Sequence, residues 1–408
     1  MWEFLQALRH HPDFWLYMSI PLWAGCIGWL TNKLAIQVTF YPVDFIGVPP
    51  FLGWQGIIPR KGRKMATILV DNTLGKITST REIFQEFEPH KIAMHIVKVV
   101  DARIEEFTDD IINEQHAVLW ENLPDLIKSR VYARTRKQLP QMMDDLLEEI
   151  QENIEELVDP REMIVEQMST DKLLLNRVFL ACADAELGFL HRAGFVIGLL
   201  IGLAAMVAWW FFPHWWVLPL AGFVIAFATN LLALNLVFRP LSPIKIGPFT
   251  VQGLFLKRQK AVSEIFCRMI TSEVLTVGHF MRAIFRGAKS ERTKAMIKKH
   301  LRPIVDNGMV KTMAQITVGA EGYVDLKHTI EEKTIEMSLS SFDDPVFTRE
   351  RGVMVEKMFR DRMQDMSAEG FQNLLRPAFQ EDQLIVICGA GVLGAITGLL
   401  ELALFLNA

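Results

Sequence analysis

The 408-residue chain lacks the sequence features that usually identify an enzyme or a metalloprotein. Its four cysteines are far apart and show no CxxC or Cys/His spacing, so neither a disulfide framework nor a zinc site is predicted. It has no nucleophile-elbow serine, no phosphate-binding glycine loop and no HExxH motif. We therefore expect no cofactor, no metal and no catalytic residue, and the sequence favours a protein that is not an enzyme.

The chain also lacks a large excess of charge of either sign. Its formal net charge is −4 and its isoelectric point is near 6.2, so we expect no nucleic-acid partner. Half of the residues are hydrophobic, 22% are charged, and the mean hydropathy is +0.21. This mixture is typical of long apolar segments joined to charged domains, and less so of a soluble globule or a fully embedded transporter.

Charge is nearly absent from four apolar runs, each long enough to cross a bilayer. About 20 helical residues span a hydrocarbon core of about 30 Å, and four such runs argue against buried core helices. We therefore predict an all-α membrane protein. The predicted transmembrane helices are residues 14–40, 194–212, 217–238 and 384–406, and the predicted helical domains are residues 41–193 and 239–383.

The charged and aromatic residues that flank these runs predict an orientation. Only residues 213–216 join the second run to the third, and tryptophans at 209, 210, 215 and 216 suggest an aromatic belt at one interface. Basic clusters follow the first and third runs. By the positive-inside rule both large polar segments face the cytoplasm, and the two ends of the chain face outward.

Two stretches almost two hundred residues apart share one pattern. GWLTNKLAIQVTFYP covers residues 28–42, and AFATNLLALNLVFRP covers residues 226–240. The match continues through the residues that follow and into the ends of the two halves. It pairs Gln55-Gly56 with Gln252-Gly253, Arg60-Lys61 with Lys257-Arg258, and Glu186, Gly198 and Gly202 with Asp382, Gly394 and Gly398. We predict two tandem repeats, parallel because each half contains two spans.

Small residues recur every four positions in the second span of each half. In lipid, helices associate largely through close backbone approach, which small residues permit. We therefore predict a packing role for these positions, although glycine is also common in membrane helices. The positions are Gly194, Gly198 and Gly202 in the first half and Ala390, Gly394 and Gly398 in the second.

Polar side chains recur inside the first span of each half. Thr31, Asn32 and Gln37 in the first half correspond to Thr229, Asn230 and Asn235 in the second. An unpaired amide in hydrocarbon is costly, so these side chains should face protein or a wet cavity. One interpretation is a clamp of Asn32 against Asn230, and it is the favoured one. The other is a polar lining for a ligand or headgroup.

A segment rich in proline and glycine follows the first span of each half. The alternation in IKIGPFTV predicts a short β-hairpin at the membrane surface, with an ordinary flanking loop as the alternative. The basic residues that follow are predicted to contact anionic headgroups. They are Arg60, Lys61, Arg63, Lys64, Lys257, Arg258 and Lys260.

The segments between the spans read as long amphipathic helices. Met143, Leu146, Ile150, Ile154 and Leu157 keep a spacing of three or four residues within a strongly acidic stretch. This pattern favours a solvated acidic face over a metal site. Helix pairs projecting from the membrane fit both halves.

The repeated motifs resemble one bacterial family. TNKLAIQVTFYP with GIIPRKGRKMA, TNLLALNLVFRP with GLFLKRQKA, and FQEDQLIVICGAGVLGAITGLLE are similar to the domain-of-unknown-function family numbered four-four-five, whose Bacillus members are membrane proteins of the YheB type. The resemblance runs nearly the full length and implies a protein of the bacterial cytoplasmic membrane, with no catalytic residue to carry over. The second copy departs from the pattern where Leu256 stands for Pro59.

Two functions from different classes fit this sequence. The first is a polytopic membrane protein, not an enzyme, that handles a lipid or another apolar molecule or organises the membrane, with membrane lipids as its partners. The alternative is a membrane-anchored scaffold whose cytoplasmic helices bind a protein partner or a second copy of the chain. A channel or transporter would need ionisable groups in the spans of both halves, but Lys33 is replaced by Leu231 in the second half.

Overall fold

The computed structural model describes residues 14–48, 52–121, 124–246, 249–305, 308–380 and 383–407, and most of them are helical. An all-α architecture is therefore confirmed. A π-helical turn covers Ile270–Val274 and a 3-10 turn covers Ser341–Asp343. The helices are α1 Phe14–Phe40, α2 Ile57–Arg60, α3 Gly62–Asn72, α4 Leu74–Ile77, α5 Thr80–Glu86, α6 Pro89–Ala102, α7 Ile104–Glu121, α8 Asp125–Glu152, α9 Ile154–Leu157, α10 Pro160–Thr170, α11 Lys172–Phe211, α12 Val217–Phe238, α13 Leu254–Lys257, α14 Gln259–Met269, α15 Val277–Arg286, α16 Ser290–Val305, α17 Gly308–Ser340, α18 Pro345–Gln364, α19 Ala368–Gln380 and α20 Gln383–Asn407.

Three of the described helices are long and apolar enough to cross a membrane: α11, α12 and the Val386–Leu404 part of α20. Helix α1 has 27 residues but is not among them. A membrane protein with three candidate spans is what the structure supports. The fourth span stays a prediction.

The predicted boundary between residues 193 and 194 falls inside α11, which is one continuous helix. Its 40 residues make it about 60 Å long, roughly twice the thickness of a hydrocarbon core. Asp171 accepts a hydrogen bond from the N–H of Leu174 at 3.0 Å and so caps its first turn. The helix therefore extends well beyond the predicted span.

The described chain divides into two compact units, and their limits differ from the predicted domains. The first unit contains residues 1–73, 168–266 and 363–408, and the second contains residues 74–167 and 267–362. The predicted domains 41–193 and 239–383 stay predictions, and their central parts, residues 74–167 and 267–362, lie together in the second unit.

The first unit is built around four long helices. Helix α1 packs along α11, and α12 packs along α20; α1 also contacts α12 and α20, and α11 contacts α12. A hydrophobic cluster near the α11–α12 turn takes residues from all four helices, including Ile20, Trp209, Leu218 and Leu402. Trp209 is therefore a core residue, and the predicted aromatic belt is wrong for it. Trp215 and Trp216 are exposed.

Two short β-hairpins follow α1 and α12. Strands β1 Ile46–Val48 and β2 Leu52–Trp54 pair antiparallel, with Gly47 opposite Gly53. Strands β3 Ile244–Ile246 and β4 Phe249–Val251 pair antiparallel, with Lys245 opposite Thr250. A short hairpin, predicted for each half, is thus present in both halves.

The second unit joins helices from both intervening segments. Helix α8 buries Met143, Leu146 and Ile150 as its spacing predicts, and it packs against α6 and α16. Glu149 of α8 meets Lys299 of α16 at 2.9 Å. An amphipathic helix needs a partner surface for its apolar stripe, and α8 finds part of that surface in the other half of the sequence. One mixed unit results.

Candidate functional site

A cavity of about 90 Å³ lies inside the first unit. Its walls come from α1, α2, α11, α12, α13 and α20, and most of the side chains that line them are apolar. The polar side chains among them are Asn32, Thr39, Glu186 and Asn230. Two of the repeated polar residues predicted from the sequence therefore lie at one cavity.

Asn32 connects α1 to α11. Its Nδ2 donates a hydrogen bond of 2.7 Å to the carbonyl oxygen of Leu190, and the residue is only 2% exposed. Its Oδ1 is buried and has no hydrogen-bond partner among the described residues. The amide is thus half satisfied by the neighbouring helix, which explains how an asparagine is tolerated in this apolar setting.

Asn230 behaves differently. Its Nδ2 donates 3.0 Å to the carbonyl oxygen of Ala226, one turn earlier on its own helix. The predicted clamp of Asn32 against Asn230 is therefore wrong about the partner, because each amide donates to a backbone carbonyl instead. Asn32 does join two helices, but the second is α11.

The remaining repeated polar residues do not line the cavity. Thr31 and Thr229 are buried, and each hydroxyl donates to a carbonyl of its own helix, Ile27 at 2.8 Å and Ala226 at 3.2 Å. Gln37 and Asn235 are exposed, and Asn235 donates to Leu231 of its own helix. Sharing a sequence pattern with Asn32 does not place a residue at the cavity.

A buried ion pair stands at the cavity wall. The Nη1 of Arg258 donates to both carboxylate oxygens of Glu186, at 2.9 and 2.8 Å. The Glu186 side chain is 2% exposed and that of Arg258 is 34% exposed, so solvent reaches only the cation. A buried carboxylate that stays ionised without such a partner costs several kcal/mol, roughly, and the guanidinium offsets that cost.

This ion pair adds a residue that the sequence reasoning did not pair. Nη1 of Arg258, a residue predicted to contact a headgroup, holds Glu186, and the headgroup contact stays a prediction. A signal was present, because Glu186 corresponds to Asp382 and Arg258 to Lys61 in the repeat alignment. Asp382 lies outside the described residues. Of the other predicted headgroup residues, Arg60, Arg63, Lys64, Lys257 and Lys260 are exposed and Lys61 is half-buried.

The stripes of small residues lie at the closest helix contacts. A Cβ atom on Gly198 would lie 2.5 Å from the carbonyl oxygen of Ala24, and one on Gly398 would lie 2.5 Å from that of Leu218. Gly202 packs against Pro21, and Ala390 is buried. Such spacing leaves no room for a side chain, so the backbones of α1 and α11, and of α12 and α20, touch at these points.

Glycine and proline make equivalent backbone contacts after α1 and after α12. The N–H of Gly56 donates to Pro42 at 2.9 Å, and the N–H of Gly253 donates to Pro240 at 3.0 Å. The peptide bonds before both prolines are cis.

A side-chain amide also closes the end of each of these helices. Asn176 donates to the carbonyl of Phe40 at 2.6 Å, and Gln372 donates to that of Phe238 at 2.9 Å. Leu256, which stands in the second half where Pro59 stands in the first, is buried as Pro59 is. The two regions are held by the same kinds of contact.

Comparison with known proteins gives relatives that are all membrane proteins. The chain is 28% identical over 158 residues to a UPF0754 membrane protein of Nostoc punctiforme. The aligned region covers 34% of this chain and 37% of the relative. It is 27% identical over 171 residues to a UPF0754 membrane protein of a Nostoc species. That aligned region covers 40% of this chain and 35% of the relative. It is 29% identical over 167 residues to a UPF0754 membrane protein of Thermosynechococcus vestitus. Here the aligned region covers 36% of this chain and 40% of the relative.

These matches span little more than a third of the length of the curated relatives. Neither a family model nor a solved structure matches the chain. The family numbered four-four-five stays a prediction, since the relatives carry the UPF0754 name. Together with the three apolar helices, they identify the chain as a membrane protein similar to the UPF0754 membrane proteins of bacteria.

Proposed function

We propose that this membrane protein is not an enzyme and that it binds a lipid chain or another apolar molecule in the cavity beside Asn32 and Asn230. The observation that carries the proposal is the cavity itself, a mostly apolar space in which two buried amides, the Thr39 hydroxyl and the Glu186 carboxylate supply the polar groups. Binding sites for small apolar ligands have this composition. A volume of about 90 Å³ suits the end of a chain or a small polar end group, because about 10 to 15 Å³ of such space already holds one water molecule.

The proposed location is the bacterial cytoplasmic membrane, with the basic residues at the inner leaflet. Arg60, Arg63, Lys64, Lys257 and Lys260 are exposed, and clusters of this kind attract anionic headgroups at about 1 kcal/mol for each cation. Membrane lipids are then both the surroundings and the ligand.

The proposed topology is two parallel tandem repeats with α1 as a fourth span. The equivalent Gly56–Pro42 and Gly253–Pro240 contacts support the repeat, as do the equivalent amide contacts to Phe40 and Phe238. The packing of α1 along α11 supports its placement beside a span. Four spans put both ends of the chain on the same side of the membrane, whereas three put them on opposite sides.

Labelling of the chain ends in intact spheroplasts tests this topology. Cysteines added in short tags at either end, in a chain whose own four cysteines are replaced by serine or alanine, should both react with a membrane-impermeant maleimide. Reaction at one end alone would contradict the fourth span.

Native mass spectrometry of the protein extracted with its lipids tests the binding proposal. We expect a lipid that is enriched over the bulk membrane, and we expect the Asn32→Leu/Asn230→Leu variant to retain much less of it. Asn235→Leu is the matched control, because Asn235 is exposed and away from the cavity. Equal retention by all three proteins would overturn the proposal and leave the protein-binding scaffold as the function to pursue.

A further inference from the structure

One polar atom of a residue at the cavity, Oδ1 of Asn32, is a buried hydrogen-bond acceptor. The carbonyl of Leu190 can only accept, so the amide of Asn32 must present its Nδ2 to that carbonyl, and the bond measures 2.7 Å. This fixes Oδ1 as the free end of the amide. Oδ1 is buried and accepts no hydrogen bond from the described residues, so the site has an acceptor without a donor.

Asn230 is the second amide at the cavity. Its Nδ2 donates to the carbonyl of Ala226 at 3.0 Å. Both asparagines line the cavity, at 2% and 6% exposure. Each amide thus uses one of its two N–H hydrogens on a backbone carbonyl, at Leu190 and at Ala226.

The ion pair decides the charge of the ligand. Glu186 brings a negative charge to the cavity wall, which disfavours a carboxylate or phosphate close to it. Arg258 compensates that charge through two hydrogen bonds, so no net negative charge is left to attract an ammonium group. An uncharged group fits this balance best.

We propose that the bound molecule is an amphiphile whose polar end is an uncharged hydrogen-bond donor, such as the hydroxyl of a long-chain alcohol or of a neutral glyceride, and that this hydroxyl donates to Oδ1 of Asn32. The inference rests on the proposed function and names the chemical class of its ligand. The hydroxyl satisfies an acceptor that is otherwise buried and unpaired, while the chain occupies the apolar remainder.

Photolabelling with a matched pair of competitors tests this class. The full-length protein in detergent is irradiated with 3-azioctanol, a diazirine-bearing alcohol, and labelled residues are mapped by peptide mass spectrometry. The competitors are octan-1-ol and its isomer 1-methoxyheptane, which has the same atoms and nearly the same volume but donates no hydrogen bond. We expect labelling at the cavity residues and an octan-1-ol potency about tenfold above that of the ether, the equivalent of one well-formed hydrogen bond.

The outcomes separate this inference from the proposed function. Cavity labelling with equal competition by the alcohol and the ether would overturn the inference, while leaving an apolar site. Absence of labelling at the cavity would overturn both. The selectivity of the wild-type protein is the primary measurement, so the test does not depend on any variant folding.

Two variants then locate the acceptor. Asn32→Leu should bring the alcohol and the ether to equal potency, and Asn235→Leu should keep the tenfold difference. Retained selectivity in a folded Asn32→Leu protein, with an unchanged gel-filtration profile and circular dichroism spectrum, would overturn the role given to Oδ1.

Discussion

Helices α1 and α11 meet glycine to glycine at Gly28 and Gly194, whereas α12 and α20 meet at Gly222 and Gly394. The sequence alignment places the second contact one helical turn away from the first, since it equates Gly394 with Gly198. The pair equivalent to Gly222 and Gly394 is Ala24 and Gly198, which are also in close contact, whereas the positions equivalent to Gly28 and Gly194 hold two alanines, Ala226 and Ala390. A stripe of small residues therefore specifies that two helices touch and leaves open where the contact is closest.

The two asparagines differ in their partners. A Cβ atom on Gly194 would lie 2.5 Å from Nδ2 of Asn32, so the amide reaches α11 only because position 194 has no side chain. The equivalent position on α20 is Ala390, which is buried. Asn230 donates instead to its own helix. Position 390 thus carries a methyl group where position 194 carries none.

The largest predicted effect is on the glycine contacts themselves. Gly194→Ala should lower the free energy of unfolding by about 3 kcal/mol, because the new methyl overlaps the Gly28 carbonyl and the Asn32 amide. Gly188→Ala on the same helix is the control, since nothing lies within 4 Å of its added Cβ. It should be neutral or stabilising by up to about 1 kcal/mol through helix propensity. Denaturant titration in detergent measures both, and equal effects would contradict the close contact.

The same comparison applies to the second helix pair. Gly394→Ala should also destabilise by about 3 kcal/mol, because its methyl would meet Gly222. Gly389→Ala has open space around it and should be close to neutral. If only the first pair responds, the α12–α20 contact is less tight than its geometry indicates.

The buried ion pair should show an asymmetric response. Arg258→Gln leaves the Glu186 carboxylate buried without a partner and should cost about 2 to 3 kcal/mol. Glu186→Gln should cost less, roughly 1 kcal/mol, because Arg258 is one-third exposed and can turn to solvent. The double variant should cost less than the sum of the two. Urea unfolding of the wild type, the two single variants and the double variant completes this double-mutant cycle. Additive losses of stability would show that the two groups do not interact.

Replacing the two asparagines should change the free energy of unfolding by less than the Arg258 substitution above. Asn32→Leu removes the bond to Leu190 and should lower stability by about 1 kcal/mol, while Asn230→Leu should change it by no more than about 0.5 kcal/mol. Thermal unfolding followed by circular dichroism compares the two variants. A larger loss at Asn230 would reverse the assignment of the inter-helix bond.

The smallest effect is expected for an exposed ion pair in the second unit. Arg362 beside Glu82 lowers the pKa of that carboxyl from 4.5 to about 2, but both side chains are more than 40% exposed. Solvent screening limits the contribution to about 0.5 kcal/mol. The lowered pKa stabilises the fold above pH 4.5, and this stabilisation is lost as the pH falls from 4.5 to 2. Arg362→Gln should therefore differ from the wild type at pH 7 and not at pH 2, as measured by unfolding at both values.

Hydropathy and periodicity are local properties, and they predicted the local features well. The apolar runs of α12 and α20 and the buried stripe of Met143, Leu146 and Ile150 on α8 follow from spacing alone. The alternating IKIGPFTV forms the strands of the second hairpin. Gln37 and Asn235 mark the limit, because the repeat pattern placed them with Asn32 although both are exposed.

By itself, the sequence determined that this is a largely helical membrane protein with recurring polar, glycine and basic positions, because each of these depends on residues a few places apart. Only the tertiary structure decided that Asn32 donates to Leu190, that Arg258 holds Glu186 and that the two intervening segments form one unit. Those contacts join residues 158 and 72 positions apart. No local pattern encodes such partners, because they depend on which helix faces lie side by side and on whether a single Cβ leaves room between them.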